Sequence, residues 1–229
     1  MLVQKSVDAG REAGGLAMGA DRALLEAPDF RPGSGWRFRV HGWVGPTLTL
    51  GRGQRPPDEL LKHAERRGVE VVGRPTGGGW LLHLPGDLAL TGAFPGPLGR
   101  GDLRGCARVV GRLIEVALAS CGLPAGVVDG QAVAGPGPGR AEICFQRADR
   151  EEVVVGDVKA AGVALARVHG AVLIQSAIPL VAPPDALRAF ADRWDPARQA
   201  AVRRLGGVDE SLLTRCLLRA IREQDGRGG

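Results

Sequence analysis

Aromatic residues are scarce in this chain and tyrosine is absent; the aromatic side chains are five phenylalanines and four tryptophans. Proteins that bind single-stranded nucleic acid usually stack the bases on aromatic side chains that stand among basic ones. No such interleaving is visible here, and the sequence contains no block of lysine and arginine. We therefore do not expect nucleic acid as a partner.

Cysteine is also rare, with four residues that stand far apart and form no CxxC pair. This spacing suggests neither a zinc or other metal site nor a disulfide framework. Cys106 and Cys121 fall in or beside the apolar register of a predicted helix, so we interpret both as packing residues. Cys144 differs, because it follows a Gly/Pro-rich segment at 130–139, predicted to be a mobile loop, and has polar and charged neighbours.

Long apolar runs are missing: none could span a bilayer, and residues 1–10 lack the apolar core of a signal peptide. We expect a cytoplasmic protein that does not bind membranes. The 30 basic and 25 acidic side chains give a net charge of +5, which would suit an acidic protein partner. Only Lys5, Lys62 and Lys159 are lysines, so each of them is a candidate for a specific role.

With 229 residues, 44% of them hydrophobic, the chain can form one domain with a substantial core. Helical periodicity predicts helices at 14–27, 57–68, 102–120, 185–193, 196–203 and 210–222. Shorter patterns predict strands at 36–40, 47–50, 69–72, 80–83, 87–93, 152–155, 158–164 and 171–178. Hairpins outnumber βαβ units in this order, which predicts an α+β fold with a mixed, largely antiparallel sheet and helices packed on its faces. We expect one domain over residues 1–229, with a frayed tail at 225–229.

Local patterns within these elements predict which side chains are buried. The helix at 14–27 has an apolar stripe that includes Leu16 and leaves Asp21 outside. The strand at 36–40 alternates, so Arg39 and His41 lie on the face opposite Phe38 and the strand is predicted to be half-buried. The turn at 84–86 should join its two flanking strands as a hairpin.

The stretch from Gly73 to His83 contains three consecutive glycines between two apolar runs. Glycine adopts positive φ without strain and allows another group to approach the backbone closely. Arg74 supplies a fixed cation and His83 a titratable ring. The residues alone allow two interpretations, a flexible hairpin or the floor of a ligand site.

Cys144 and Lys159 are the two candidates for catalytic residues. Arg140 and Arg147 would favour the Cys144 thiolate, which is the nucleophilic form; the alternative is a structural cysteine beside Phe145. Lys159 follows a predicted turn and could hydrogen-bond a carbonyl oxygen or a phosphate; the alternative is a solvated strand lysine. The P-loop, GxGxxG, HExxH and GxSxG motifs are absent.

Four stretches, in the same order, resemble motifs of the lipoate-protein ligase and octanoyltransferase superfamily, whose catalytic domain is similar to that of biotin ligases. ADRALL at 20–25 resembles its N-terminal helix signature, and LTLGRGQ at 48–54 resembles its LGRxQ strand end. RPTGGG at 74–79 with His83 is similar to its acyl-binding loop. VGDVKAAGVA at 155–164 is similar to its lysine hairpin. Four motifs in order are specific, although each one alone is weak.

The resemblance implies a biotin/lipoate-ligase-like fold and an acyltransferase that moves an octanoyl group to a lysine of a lipoyl-accepting domain. Ile143-Cys144-Phe145 is similar to the Cys-Phe of octanoyltransferases that form an enzyme thioester, where ATP-using ligases typically carry Asn-Asp. The implied catalytic residues are Cys144 as nucleophile and Lys159 as the group that holds the acyl carbonyl. The implied substrate-binding residues are Arg74, Thr76, Gly77, Gly78, Gly79, His83, Gly162 and Ala164.

The resemblance also implies partners and no cofactor or metal. The expected donor is octanoyl-acyl carrier protein, and the acceptor is the glycine-cleavage H protein or a 2-oxoacid dehydrogenase E2 domain. An ATP-dependent lipoate or octanoate ligase is the first alternative, and it would need ATP and Mg. A non-catalytic acyl- or carrier-binding homologue is the second, because Gly73 replaces one of the family's paired arginines and Ile174-Gln175-Ser176 replaces Gln-His-Gly. Trp80 is bulky where a smaller residue is usual and should shorten or redirect the acyl slot.

Overall fold

The computed structural model of the protein describes residues 5–96, 102–129, 143–146 and 148–225. The strands in these ranges are β1 (Lys5–Glu12), β2 (Arg37–Trp43), β3 (Thr47–Leu50), β4 (Glu70–Gly73), β5 (Leu81–His83), β6 (Ala89–Phe94), β7 (Ala125–Val127), β8 (Val153–Val155), β9 (Val158–Val168) and β10 (Ala171–Ala177). The helices are α1 (Gly14–Glu26), α2 (Asp58–Arg66), α3 (Asp102–Ser120), α4 (Asp185–Trp194), α5 (Arg198–Leu205) and α6 (Glu210–Asp225). A 3₁₀ turn covers Cys144–Gln146.

The strands form two sheets. The larger has the order β1-β2-β6-β10-β9-β8-β7, and every neighbouring pair is antiparallel except β1 and β2. The smaller has the order β4-β3-β5, in which β3 is parallel to β4 and antiparallel to β5. The predicted α+β class with a mixed, largely antiparallel sheet is therefore confirmed. Among the described helices, none combines the length and the apolar character needed to cross a membrane.

The two faces of the larger sheet have different chemistry, because side chains alternate along β2. Phe38 and Val40 lie in the main apolar core together with side chains of α3 and α6. Arg39 and His41 occupy the alternate positions and are only 4% and 1% exposed. Their face is covered by α1 and the smaller sheet, so the prediction of a half-buried strand is wrong and β2 is buried on both sides.

Helix α1 lies close to its predicted bounds, but its buried face differs from the predicted one. Leu16 is 71% exposed, whereas Ala17 is fully buried and Asp21 is 1% exposed. The Asp21 carboxylate turns inward because it accepts hydrogen bonds from Arg39 Nη1 (2.5 Å) and Thr91 Oγ1 (2.9 Å). A polar attraction, rather than the largest apolar side chains, therefore sets the orientation of this helix.

The hairpin prediction is correct at one place and wrong at another. Strands β8 and β9 pair across the turn at 156–157, as predicted. The segments around 84–86 do not form a hairpin, since His83 on β5 pairs with Thr47 in the smaller sheet while Ala89 on β6 pairs with His41 in the larger one. The chain changes sheets here, and Asp87 stabilises the turn by accepting the Leu84 N–H at 2.8 Å.

Two strands, β1 and β7, and two segments outside the described residues also differ from or go beyond the predictions. The short strand β7 was not predicted. The parallel edge strand β1 was not predicted. The predicted mobile loop at 130–139 lies outside the described residues, as do residues 226–229 of the predicted frayed tail. Asp225, the first residue of that tail, is the last residue of α6.

Candidate active site

Arg74 organises the glycine loop from within. Its side chain is only 8% exposed. It donates from Nη2 to the carbonyl oxygens of Gly77 (2.9 Å) and Gly79 (2.6 Å), and from Nη1 to the Thr49 carbonyl oxygen (3.2 Å). Burial lowers the pKa of Arg74. The loop is therefore fixed around a buried cation, which argues against a flexible hairpin.

Positive φ explains the glycine at position 78, and close backbone packing explains the one at position 51. Gly78 has φ of +97°, in a region that favours glycine. A Cβ on Gly51 would lie 1.9 Å from the Gly78 carbonyl oxygen, so no side chain fits there. The LGRxQ strand end and the glycine loop thus contact each other directly, which accounts for their joint presence in the sequence.

Thr76 connects the glycine loop to β10 and α1 through a buried network. Its hydroxyl donates to Gln175 Oε1 at 2.8 Å, and Gln175 Nε2 donates to Asp21 Oδ2 at 2.7 Å. Asp21 also binds Arg39 and Thr91, so it connects α1 with three strands of the larger sheet. Gln175, which departs from the family's Gln-His-Gly pattern, therefore has a defined role in holding the site together.

His83 on β5 is buried and neutral. Its Nε2 lies 2.9 Å from Thr49 Oγ1, and its ring stacks on Trp43 with centroids 3.9 Å apart. Burial, followed by the nearby Arg74 and Arg198 cations, lowers the pKa of His83 well below its ordinary value. The ring therefore acts as a neutral wall of the site rather than as a cation.

Cys144, Lys159 and Glu152 form the chemical centre. Lys159 on β9 is 6% exposed, and its Nζ lies 3.8 Å from Cys144 Sγ and donates to the Cys144 carbonyl oxygen. Glu152 Oε1 is 2.7 Å from the same Nζ, and the second oxygen of Glu152 accepts the Asp149 N–H at 2.7 Å. The alternative of a solvated strand lysine is therefore wrong. Glu152 was not identified from the sequence.

The position of the Cys144 sulfur depends on its neighbours. The Cys144 N–H donates to the Trp80 carbonyl oxygen at 3.0 Å, which attaches the 3₁₀ turn to the chain just before β5. A Cβ on Gly162 would lie 3.0 Å from Cys144 Sγ and 3.4 Å from Lys159 Cε. The absence of a side chain at Gly162 therefore leaves the room that the sulfur and the lysine stem occupy.

A narrow cavity of about 30 Å³ lies between the two sheets and α1. Five of the residues predicted from the sequence line it, namely Arg74, His83, Cys144, Gly162 and Ala164. Side chains that were not predicted, among them Trp43, His41 and Thr91, form much of the remaining wall.

The other predicted residues stand beside the cavity rather than in its described lining. Thr76 and Lys159 act through contacts with Gln175 and Cys144, and the carbonyl oxygens of Gly77 and Gly79 are turned toward Arg74. The glycine loop thus supports the wall of the cavity, and the described lining does not include its three glycines.

Trp80 does not shorten the cavity, contrary to the prediction. Its side chain is 3% exposed and lies in a separate apolar cluster with Leu187, Phe190 and Trp194. The indole N–H donates to the Trp194 carbonyl oxygen at 2.7 Å. The side chain therefore joins β5 to α4, while only its backbone contacts the site.

The Cys144 thiol is not a preformed thiolate in the free protein. Burial raises its pKa, and the Lys159 ammonium and the Arg74 guanidinium oppose this effect only in part. Burial lowers the pKa of Lys159, but Cys144 and Glu152 raise it by more, so the ammonium keeps its charge. Arg140 and Arg147, which were expected to favour the thiolate, lie outside the described residues.

The raised pKa of Cys144 predicts how its alkylation rate depends on pH. Only the thiolate reacts, so the rate of Cys144 alkylation by iodoacetamide should rise about tenfold per pH unit from pH 7 to 9 without a plateau. Peptide mapping would separate Cys144 from the half-buried Cys121 and Cys216. A rate that is already maximal at pH 7 would contradict the raised pKa.

Comparison with known proteins identifies the class of this fold and site. A family model described as the lipoyl protein ligase A/B catalytic domain matches residues 20–209, and the chain belongs to that family. It is similar to the octanoyltransferase LipM of Carboxydothermus hydrogenoformans (29% identity over 174 residues) and to that of Kyrpidia tusciae (31% over 159 residues). These matches cover 71% and 66% of this chain but 62% and 56% of the relatives, so the chain spans less than two thirds of their length.

A solved structure shows the same fold. Protein Ta0514 from T. acidophilum, determined with bound lipoic acid, superposes with a TM-score of 0.72 at 18% identity. The superposition covers 99% of this chain and 86% of that one. The likeness therefore extends over both sheets and the helices that pack on them.

Proposed function

We propose that the protein is an octanoyltransferase that carries the acyl group on Cys144 as a thioester. The observation that carries the proposal is the buried Lys159 ammonium 3.8 Å from Cys144 Sγ, beside a cavity between the sheets. The similarity to two octanoyltransferases named LipM supports the same reaction. A cysteine nucleophile distinguishes this chemistry from that of an ATP-dependent ligase, which activates a free acid.

Cys144, Lys159 and Glu152 have different roles in the proposed reaction. Cys144 loses its proton, its sulfur bonds to the carbonyl carbon of the incoming thioester, and the donor's thiol leaves with that proton. The oxygen of the tetrahedral intermediate carries negative charge, and Lys159 is the nearest cation that can stabilise it. An acceptor amine then bonds to the same carbon, an amide forms, and Cys144 is released as a thiol. Glu152 keeps Lys159 charged and in place throughout.

The proposed donor is octanoyl-acyl carrier protein, and the proposed acceptor is a lysine of a lipoyl-accepting domain, from the glycine-cleavage H protein or an E2 subunit. Neither ATP nor a metal takes part, because the donor thioester already supplies an activated carbonyl. The net charge of +5 suits acidic partner proteins of this kind.

The proposal is tested by intact-mass measurement after incubation with octanoyl-acyl carrier protein in the absence of ATP. We expect the mass to increase by one octanoyl group, the adduct to map to Cys144, and hydroxylamine to remove it as a thioester. Addition of a lipoyl-accepting domain should transfer the group to the acceptor.

Two variants control this measurement. Cys144→Ala should form no adduct, whereas Cys121→Ala, which removes another half-buried thiol, should be acylated like the parent protein. The proposal is wrong if no octanoyl adduct forms. It is also wrong if acceptor octanoylation requires ATP and free octanoate while Cys144→Ala remains active, which would identify a ligase.

A further inference from the structure

The cavity extends across the larger sheet, from the nucleophile to β2. Its wall includes Gly162 on β9, Gln175 on β10, Thr91 on β6 and His41 on β2, and these four strands are consecutive neighbours in the sheet. Adjacent strands are about 4.8 Å apart, so three steps correspond to roughly 14 Å. The cavity is thus a slot that runs perpendicular to the strands, with Cys144 at the β9 end.

Burial shows which end of this slot is closed. Cys144 and Ala164, near the β9 end, are partly exposed. Trp43, His41 and Ala89, near the β2 end, are only 1%, 1% and 4% exposed. A chain attached at Cys144 would therefore enter from the open end and extend toward Trp43.

The indole of Trp43 is held rigidly at the closed end. One face stacks on His83 at 3.9 Å with an interplanar angle of 20°, and His41 contacts it edge-on at 5.1 Å. Ala17 and Ala89 belong to the same small apolar cluster. A ring packed in this way cannot rotate to make room for a longer ligand without disturbing several neighbours.

Several polar side chains of the slot are hydrogen-bonded to one another. Asp21 is bonded to Arg39, Thr91 and Gln175, and Thr49 Oγ1 is bonded to His83 and Arg74. Since these groups satisfy one another, they offer little to a bound group. At the β2 end, His41 Nε2 and Trp43 Nε1 are buried with no partner among the described residues. The rest of the lining includes Leu81, Ala89, Ala164 and Ala177, which suit a hydrocarbon chain.

We infer that Trp43 closes the acyl slot and sets the maximum length of the acyl chain that Cys144 can accept. The inference rests on the proposed function, in which the slot holds the acyl chain. Trp43 Nε1 is buried with no partner among the described residues, so replacing the indole by a phenyl ring breaks no hydrogen bond within the described part of the protein. A phenylalanine at this position would preserve the volume of the ring in large part, and an alanine would not.

The test compares Trp43→Ala with Trp43→Phe as the matched control. Rates of Cys144 acylation by octanoyl-, decanoyl- and dodecanoyl-acyl carrier protein are measured for both variants and the parent. We expect Trp43→Ala to raise the decanoyl-to-octanoyl rate ratio about tenfold or more, since one methylene in an apolar pocket is worth about 10- to 200-fold. Trp43→Phe should keep the parent's ratio. An unchanged ratio in folded Trp43→Ala would overturn the inference.

A binding experiment separates this inference from the proposed function. Calorimetric titration of octanoate and decanoate into Cys144→Ala, with and without Trp43→Ala, requires no acyl transfer. If the parent protein is not acylated by any donor, the proposed function fails, yet a relative gain of decanoate binding on loss of the indole would still support the role of Trp43. If Trp43→Ala does not fold, Trp43→Leu, which also removes the ring, replaces it in both experiments, and an unchanged chain-length preference would contradict the inference.

Discussion

Replacement of Lys159 by methionine is expected to slow the acylation of Cys144 by octanoyl-acyl carrier protein about 10²- to 10³-fold, the usual cost of losing one oxyanion donor. The change keeps an unbranched side chain up to the Cε position and removes the charged Nζ group. It also leaves the buried Glu152 carboxylate without its cation, which should destabilise the fold by about 3–5 kcal/mol. Acylation is measured by intact mass, and stability by urea unfolding.

The double variant Lys159→Met with Glu152→Gln separates catalysis from folding. It removes both charges together, and the glutamine oxygen can still accept a backbone N–H, so most of the lost stability should return. The acylation rate should stay low, because the ammonium is still missing. If the double variant recovered the parent's rate, Lys159 would have only a structural role.

Substitution of Asp195 by asparagine is expected to change how stability depends on pH. Asp195 is fully buried after α4, where Oδ2 accepts the Leu82 N–H at 3.2 Å and Oδ1 has no partner among the described residues. Burial raises its pKa to about 7 from the usual 3.8, although Arg198 opposes this effect. Arg198 is already paired with Asp87 at 2.8 Å, so the cluster holds two carboxylates and one cation.

The raised pKa of Asp195 makes the folded protein less stable as pH rises. Between about pH 4 and 7 the folded protein holds a proton on Asp195 that the unfolded chain has lost, so stability falls as pH rises through this window. The loss is complete above the folded pKa and reaches the order of 4 kcal/mol for a shift of about three units. Asp195→Asn cannot lose this proton, so its advantage over the parent should be larger at pH 8 than at pH 5.

Urea unfolding at the two pH values measures the difference. Asp192→Asn, on the exposed face of the same helix, is the matched control and should follow the parent protein at both pH values. Equal effects of Asp195→Asn at pH 5 and pH 8 would mean that Asp195 keeps its charge throughout this range.

Local periodicity predicted most elements of the fold, because turns, caps and amphipathic patterns depend on near neighbours in the chain. It did not predict which face of α1 is buried, since Asp21 is turned inward by Arg39 and Thr91, and both are distant in sequence. It also missed that the polar face of β2 is covered. Alternation shows that two faces differ, but not what lies against the polar one.

The candidate site, like the fold, was predicted only in part, because local sequence patterns do not show which distant residues pack together. Cys144 and Lys159 were identified and lie together, but the neighbours that define their chemistry come from tertiary packing. Glu152 reaches Lys159 across a hairpin whose register shifts between Val153 and Val154, and a shift of this kind is not visible in the sequence. Trp80 was singled out by its size within a motif, whereas the ring that faces the slot belongs to Trp43, outside every recognised motif.

The hydrogen bonds of Asp21 have a consequence for the order in which the slot can assemble. Its partners include Gln175, which is 154 positions further along the chain, so the network joins the beginning of the protein to its last strand. A chain in which β10 has not yet joined the sheet lacks part of the slot wall, even if α1, β2 and β6 are in place. Closing so long a loop is entropically costly, and we therefore expect the slot to assemble late in folding.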